Sequence, residues 1–174
     1  MIRRTKPPYQ GTQVSAEKTK FQISELLKKY GVEGQRWTEY HSETVLEFIL
    51  SVEVQGTQKE ITIKVQPPQI LEERRLWNKN TGRTEKMKVQ NEAVSMRLLF
   101  HWLKSKLEAV SWGLVSAEKE FLSNIMMRLP EGETTVGERL ESMIHEGNLE
   151  KNLLPAPKRE EKVIDAEVSG ERVG

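Results

Sequence analysis

Ile23, Leu26, Leu27 and Tyr30 fall at i, i+3, i+4 and i+7, the spacing that gathers apolar side chains on one face of a helix. Ser15 stands where such a helix needs an N-cap, and Gly31 can take the left-handed conformation that ends it. The period then shortens to two. Leu46, Phe48, Leu50, Val52 and Val54 alternate with a largely polar set, Glu47, Ser51 and Glu53. After a turn at Gln55–Gln58, Ile61, Ile63 and Val65 alternate with Thr62 and Lys64. With the short aromatic run Arg36–Tyr40, this predicts three consecutive strands in an antiparallel meander, one face on a core.

Pro67-Pro68 stops the sheet. A short helix is expected from Ile70 to about Trp77, then a polar loop, Asn78–Gly82, forming a mobile tip. A long helix is expected from about Met87 to Val110 or Trp112. Its main stripe is Met96, Leu99, Phe100, Leu103, Leu107 and Val110, with Met87, Val94, Leu98 and Trp102 on a second stripe roughly opposite. Two stripes imply a helix sandwiched in the domain or packed on another protomer. Ser116 would cap a further helix to about Met127, with Phe121, Leu122 and Ile125 inward. Thr135 and Glu138 have the capping-box spacing at the start of a short helix ending near Gly147. The expected class is α+β: an N-terminal helix, a three-stranded antiparallel meander, then a long helix and shorter C-terminal helices. Residues 1–13 read as a flexible basic arm, 14–154 as one domain, and 155–174 as a disordered tail holding an apolar island at 163–168.

Composition removes several classes of chemistry. The 174 residues include no cysteine, so cysteine metal sites and thiol nucleophiles are excluded. The one aspartate, Asp165, sits in the tail, which disfavours two-metal nuclease or polymerase chemistry. No apolar run reaches the roughly 20 residues of a membrane helix, and the basic start is not followed by the apolar stretch of a secretory signal. The expectation is a cytoplasmic protein of a microbe or a virus-infected cell, without membrane association.

Charge is unevenly placed. Lys and Arg outnumber Glu by seven between Arg74 and Lys106, although the whole chain carries only +1. Trp77, Phe100 and Trp102 lie in the same window. Positive charge interleaved with aromatic rings is the footprint of a surface that meets a polyanion. The candidate set is Arg74, Arg75, Arg83, Arg97 and Lys104 for phosphates, with Trp77 for stacking. Lys79, Lys86 and Lys88 add to the same field. The alternative for these residues is a solvated helix face whose tryptophans are buried or at a dimer contact. Trp102, on an apolar stripe, fits that alternative better than Trp77.

No catalytic constellation accompanies the window. His41, His101 and His145 are scattered without metal-ligand spacing, and Glu72-Glu73 beside Arg74-Arg75 read as local ion pairs. Phosphate-cradling, nucleophile-elbow and dinucleotide motifs are absent. The expectation is a non-enzymatic protein with no metal or cofactor.

Three stretches, Val14–Lys18 with Leu26–Gly31, Leu103–Val110, and Glu120–Leu122 with Pro130–Val136, resemble a family of small phage and prophage proteins. That resemblance implies a mobile-element origin and transfers no functional residue. Val163–Glu167 is similar to the C-terminal ends of phage recombinases of the RecT type. The order helix, three strands, helix is also similar to double-stranded-RNA-binding domains, although Pro67-Pro68-Gln69-Ile70 replaces the lysine-rich start of their second helix. A meander followed by a helix looks like the core of single-strand annealing proteins. The leading expectation is an accessory protein of DNA metabolism that binds single-stranded nucleic acid and forms a homo-oligomer through the long helix. The alternatives are a viral inhibitor of host defence, binding a host protein or sequestering a signalling nucleotide, and a small virion or assembly protein. The 163–168 island is a possible docking motif for a protein partner.

Overall fold

The computed structural model describes residues 6, 8–40 and 43–147. His41, much of the basic arm, and the tail with its 163–168 island lie outside the described residues. Helix α1 spans Ala16–Lys29. Ser15 Oγ accepts the Lys18 N–H at 3.2 Å, satisfying one of the donors a helix start leaves open. Ile23 and Leu27 are fully buried on the predicted face, and Gly31 follows with φ +79°.

Strands β1 (Gln35–Tyr40), β2 (Glu43–Val54) and β3 (Thr57–Val65) form an antiparallel sheet in that order. The β2–β3 turn is the two residues Gln55 and Gly56, both at positive φ, the twist that suits a tight hairpin. Its register places Leu46 opposite Val65, Phe48 opposite Ile63 and Leu50 opposite Ile61. The alternation seen in the sequence is therefore one continuous apolar face. Helices α1 and α2 (Glu92–Ser111) pack on each other, and their buried side chains join that face in a single core. Met96, Leu99, Leu103 and Leu107 come from α2, and Phe121 meets Phe48 edge-on with ring centroids 5.8 Å apart. Burying a side chain of this size contributes roughly 1.5–3 kcal/mol.

The class is α+β, with the predicted N-terminal helix, meander and long helix. The region between meander and long helix differs from expectation. Ile70–Trp77 is not helical. Strand β4 (Leu71–Asn78) pairs antiparallel with β5 (Arg83–Gln90) in a separate two-stranded ribbon. The long helix starts at Glu92, so Met87 belongs to β5 and not to its second stripe. Glu, Arg and Leu have good helix propensity, but pairing with Arg83–Gln90 overrides it. The expected loop is a closed turn: Gly82 N–H donates to Asn78 O at 2.9 Å, and Gly82 has φ +64°. At the base of the ribbon Asn91 N–H donates to Ile70 O at 2.7 Å, while Asn91 Oδ1 caps α2 by accepting the Val94 N–H.

The helix expected to Met127 is also shorter. Helix α3 covers Ala117–Glu120, a 3-10 turn covers Leu122–Asn124, and β6 (Met126–Leu129) pairs with β7 (Gly132–Thr135). Phe121 is buried as expected, Ile125 is half-buried, and Leu122 points outward. The unit is tied to the edge of β3 by an Ile63–Ile125 bridge and by Asn124 Nδ2 donating to Lys64 O at 3.2 Å. Helix α4 (Val136–His145) opens with the expected capping box: Thr135 Oγ1 accepts the Glu138 N–H at 3.1 Å, and Glu138 Oε2 accepts the Thr135 N–H at 2.8 Å. The Thr135 N–H, then the Thr134 hydroxyl, hold the Glu138 carboxyl below its ordinary value. Gly137 lies so close to the 3-10 turn that a Cβ would meet Ser123 O at 2.7 Å.

Candidate nucleic-acid interface

The cations of the Arg74–Lys106 window divide between elements. Arg97, on α2, donates to Gln22 Oε1 on α1 at 2.6 Å and lies over the Phe100 ring. Lys104 pairs with Glu108 one turn on, at 3.7 Å. Lys106 donates to Glu120 O at 2.8 Å and Glu120 Oε1 at 2.6 Å, and sits 4.8 Å from the Trp102 ring centroid. Arg97 and Lys106 thus tie α2 to α1 and to α3, while Lys104 is paired within α2 itself. Arg74, on β4, is ion-paired with Glu72. That leaves Arg75, Lys79, Arg83, Lys86 and Lys88 without a hydrogen bond or ion pair among the described residues. All five belong to the ribbon or its turn.

Pairing in the ribbon sorts its two faces, because successive side chains alternate. Leu71, Glu73, Arg75 and Trp77 share one face with Gln90, Lys88, Lys86 and Thr84, their cross-strand partners. Arg75 stands directly opposite Lys86, an arrangement that destabilises a strand pair unless an anion joins it. Trp77 stands opposite Thr84 and is 63% exposed. Glu73 is the lone carboxylate of this face.

The other face carries Glu72, Arg74, Leu76 and Asn78 opposite Val89, Met87, Glu85 and Arg83. Its charges are largely matched. Arg74 pairs with Glu72, and Glu85 accepts from Thr81 Oγ1 at 2.6 Å and Asn78 Nδ2 at 2.9 Å. The bonds from Thr81 and then Asn78 hold the Glu85 carboxyl below its ordinary value. The same network closes the turn and fixes the ribbon tip.

The six candidates from the sequence are thus not one surface. Arg75 and Trp77 share the basic face, Arg74 and Arg83 lie on the opposite face, and Arg97 and Lys104 are engaged on α2. Lys86 and Lys88 complete the basic face. The signal that could have joined them to Arg75 is the turn Asn78–Gly82 read as a hairpin rather than a loop between helices. Trp102 lies edge-on to Phe121 but is 38% exposed, so within the single chain it is not buried as its stripe position suggested.

Two further features belong to the body. A cleft of about 500 Å³ lies between the outer sheet face and β6–β7, lined in part by Arg36, Glu47, Arg128 and Glu133. Arg36 pairs with Glu47 and Arg128 with Glu133, so its arginines are already satisfied. On α2, His101 stacks on Tyr9 with centroids 4.5 Å apart. Partial burial, then Arg97 and Lys104, hold its imidazole below the ordinary value. Among the described residues no group of three or more His, Cys, Asp or Glu is placed to hold a metal ion, and no helix is long and apolar enough to cross a membrane.

No family model, curated protein or solved structure matches the chain. In the structure the β4–β5 ribbon stands between the meander and the long helix, where the helix, three strands, helix order expected a helix directly.

Proposed function

We propose that the protein binds single-stranded nucleic acid on the ribbon face formed by Arg75, Trp77, Lys86 and Lys88. The observation that carries this reading is the separation of cations. Those on the helices are used within the fold, whereas five on the ribbon are unpaired and exposed. Phosphates would neutralise the opposed Arg75 and Lys86 and the neighbouring Lys88. The Trp77 ring offers a stacking surface worth about 1–3 kcal/mol per base. An exposed ring favours unpaired bases, since those of a duplex are stacked on one another. The role would be that of a non-enzymatic accessory protein of DNA metabolism.

Titration of labelled single-stranded and duplex oligonucleotides at two salt concentrations tests the reading. With three phosphate contacts, single-strand affinity should fall about twentyfold between roughly 50 and 200 mM salt. Lys86→Glu should weaken binding and flatten that dependence, and Trp77→Ala should cost about tenfold. No binding at low salt, or affinity indifferent to salt, would sink the proposal. Equal affinity for duplex would overturn the single-strand assignment.

A further inference from the structure

We infer that the outer edge of β4 pairs with β4 of a second copy of the chain, antiparallel about a two-fold axis, so that two ribbons join into one four-stranded sheet. The inference concerns a different partner from the nucleic acid and does not rest on that reading.

The ribbon is a two-stranded unit by itself, and such hairpins are marginal in water until further strands or a packed face support them. Its two outer edges differ. On β5 the basic face presents Lys86 and Lys88 in succession, so a β5–β5 pairing centred on Lys86, Met87 or Lys88 sets lysine against lysine. That is how natural sheets guard an edge. On β4 the same face presents Leu71, Glu73, Arg75 and Trp77, which is self-complementary when reversed. An axis normal to the sheet keeps each face on its own side, so residues of one face meet residues of the same face. Centred on Arg74, it sets Glu73 opposite Arg75 of the second copy and Leu71 opposite Trp77 of the second copy, each contact occurring twice. Arg74 then meets its own copy, but each Arg74 is already neutralised by Glu72.

The backbone is suited to this. The bond from Asn91 N–H to Ile70 O makes that pair a hydrogen-bonded one. Alternation along the ladder then turns the N–H groups of Leu71, Glu73, Arg75 and Trp77 to the outer edge. The side chains concerned are those the single chain leaves unmatched. Glu73 and Arg75 have no ion-pair partner among the described residues, and Leu71 and Trp77 are 59% and 63% exposed. In the joined sheet Glu73 of one copy relieves the Arg75–Lys86 opposition of the other. Lys86 and Lys88 stay free on the outer strands, and Leu71 covers one side of the indole.

The test is the mass of nucleic-acid-free protein, by sedimentation equilibrium across the micromolar range. The wild type is expected to dimerise. Glu73→Arg and Arg75→Glu should each raise the dissociation constant at least tenfold, by setting like charges opposite each other. The double variant should restore the dimer, because the swap regenerates both pairs. Glu73→Pro should also give monomer, since it removes an edge N–H but no bond within the ribbon. A wild type that stays monomeric, a dimer indifferent to Glu73→Arg, or a double variant that fails to recover would overturn the inference. Circular dichroism of each variant establishes that the body is folded. Lys88→Ala, which should weaken oligonucleotide binding while leaving both Glu73–Arg75 pairs and the mass unchanged, keeps the two proposals separately testable.

Discussion

The β2–β3 and β4–β5 hairpins are built from the same kind of ladder and meet opposite fates. In β2–β3 every second residue from Leu46 to Val54 and from Ile61 to Val65 is apolar, and Leu46, Phe48, Ile63 and Val65 are buried under two helices. In β4–β5 the first strand shows no alternation and the second only the short run Lys86–Gln90, most side chains on both faces are exposed, and the charges are dense. Two-residue periodicity is the mark of a sheet with one face on a core, not of strand geometry itself. A ribbon with water on both faces has no reason to show it. The β6–β7 hairpin lies between these cases, held to the body at one edge by the Ile125 bridge and at its end by α4.

The contrast can be broken most directly in the core. Phe48→Ala should cost about 3–5 kcal/mol in denaturant unfolding, because the cavity would open between the sheet and Phe121. A loss under about 1 kcal/mol would show that the sheet face is loosely covered. Next comes the intermediate hairpin. Gly137→Ala should cost about 1–3 kcal/mol, since its Cβ has to displace Ser123 backbone or lift α4. Leu76→Ala on the ribbon should change stability by no more than about 0.5 kcal/mol. A loss as large as that of Phe48→Ala would mean that the ribbon is part of the core. The smallest effect should be at His101. Its folded imidazole titrates below its unfolded value, so the unfolded chain takes up the proton first. Stability should therefore fall as pH drops below about 6.5 towards the folded value, and His101→Phe should flatten that slope in thermal melts. Partial burial, then Arg97 and Lys104 beside it, set the direction.

Where burial imposes a pattern, the sequence was legible. The α1 face, the β2–β3 turn, the α2 stripe and the Thr135–Glu138 capping box all fall where their spacing puts them. Where side chains stay in water, local propensity spoke instead, and Ile70–Trp77 reads as a helix. The segment after Glu120 was misread for a related reason. Phe121 and Ile125 have helical spacing, but the 3-10 turn delivers both to the body while leaving Leu122 outside. Charge was legible as a total and illegible as a surface. Counting places Arg74, Arg75 and Arg97 together, whereas the register of β4 against β5 parts the first two and Gln22 engages the third.

The bond between Ile70 O and Asn91 N–H also bears on the order in which the chain assembles. Helix α2 must reach the meander across everything between Val65 and Glu92. If that stretch were loose, its whole length would count in the entropy of bringing the two together. A hairpin that has already zipped, which takes about 1–10 μs, joins its own ends. The effective loop is then only Gln66–Ile70 and Asn91, about fourfold shorter, which lowers the cost of docking by roughly 1.2 kcal/mol. A ribbon that adds nothing to the core can therefore still hasten its formation.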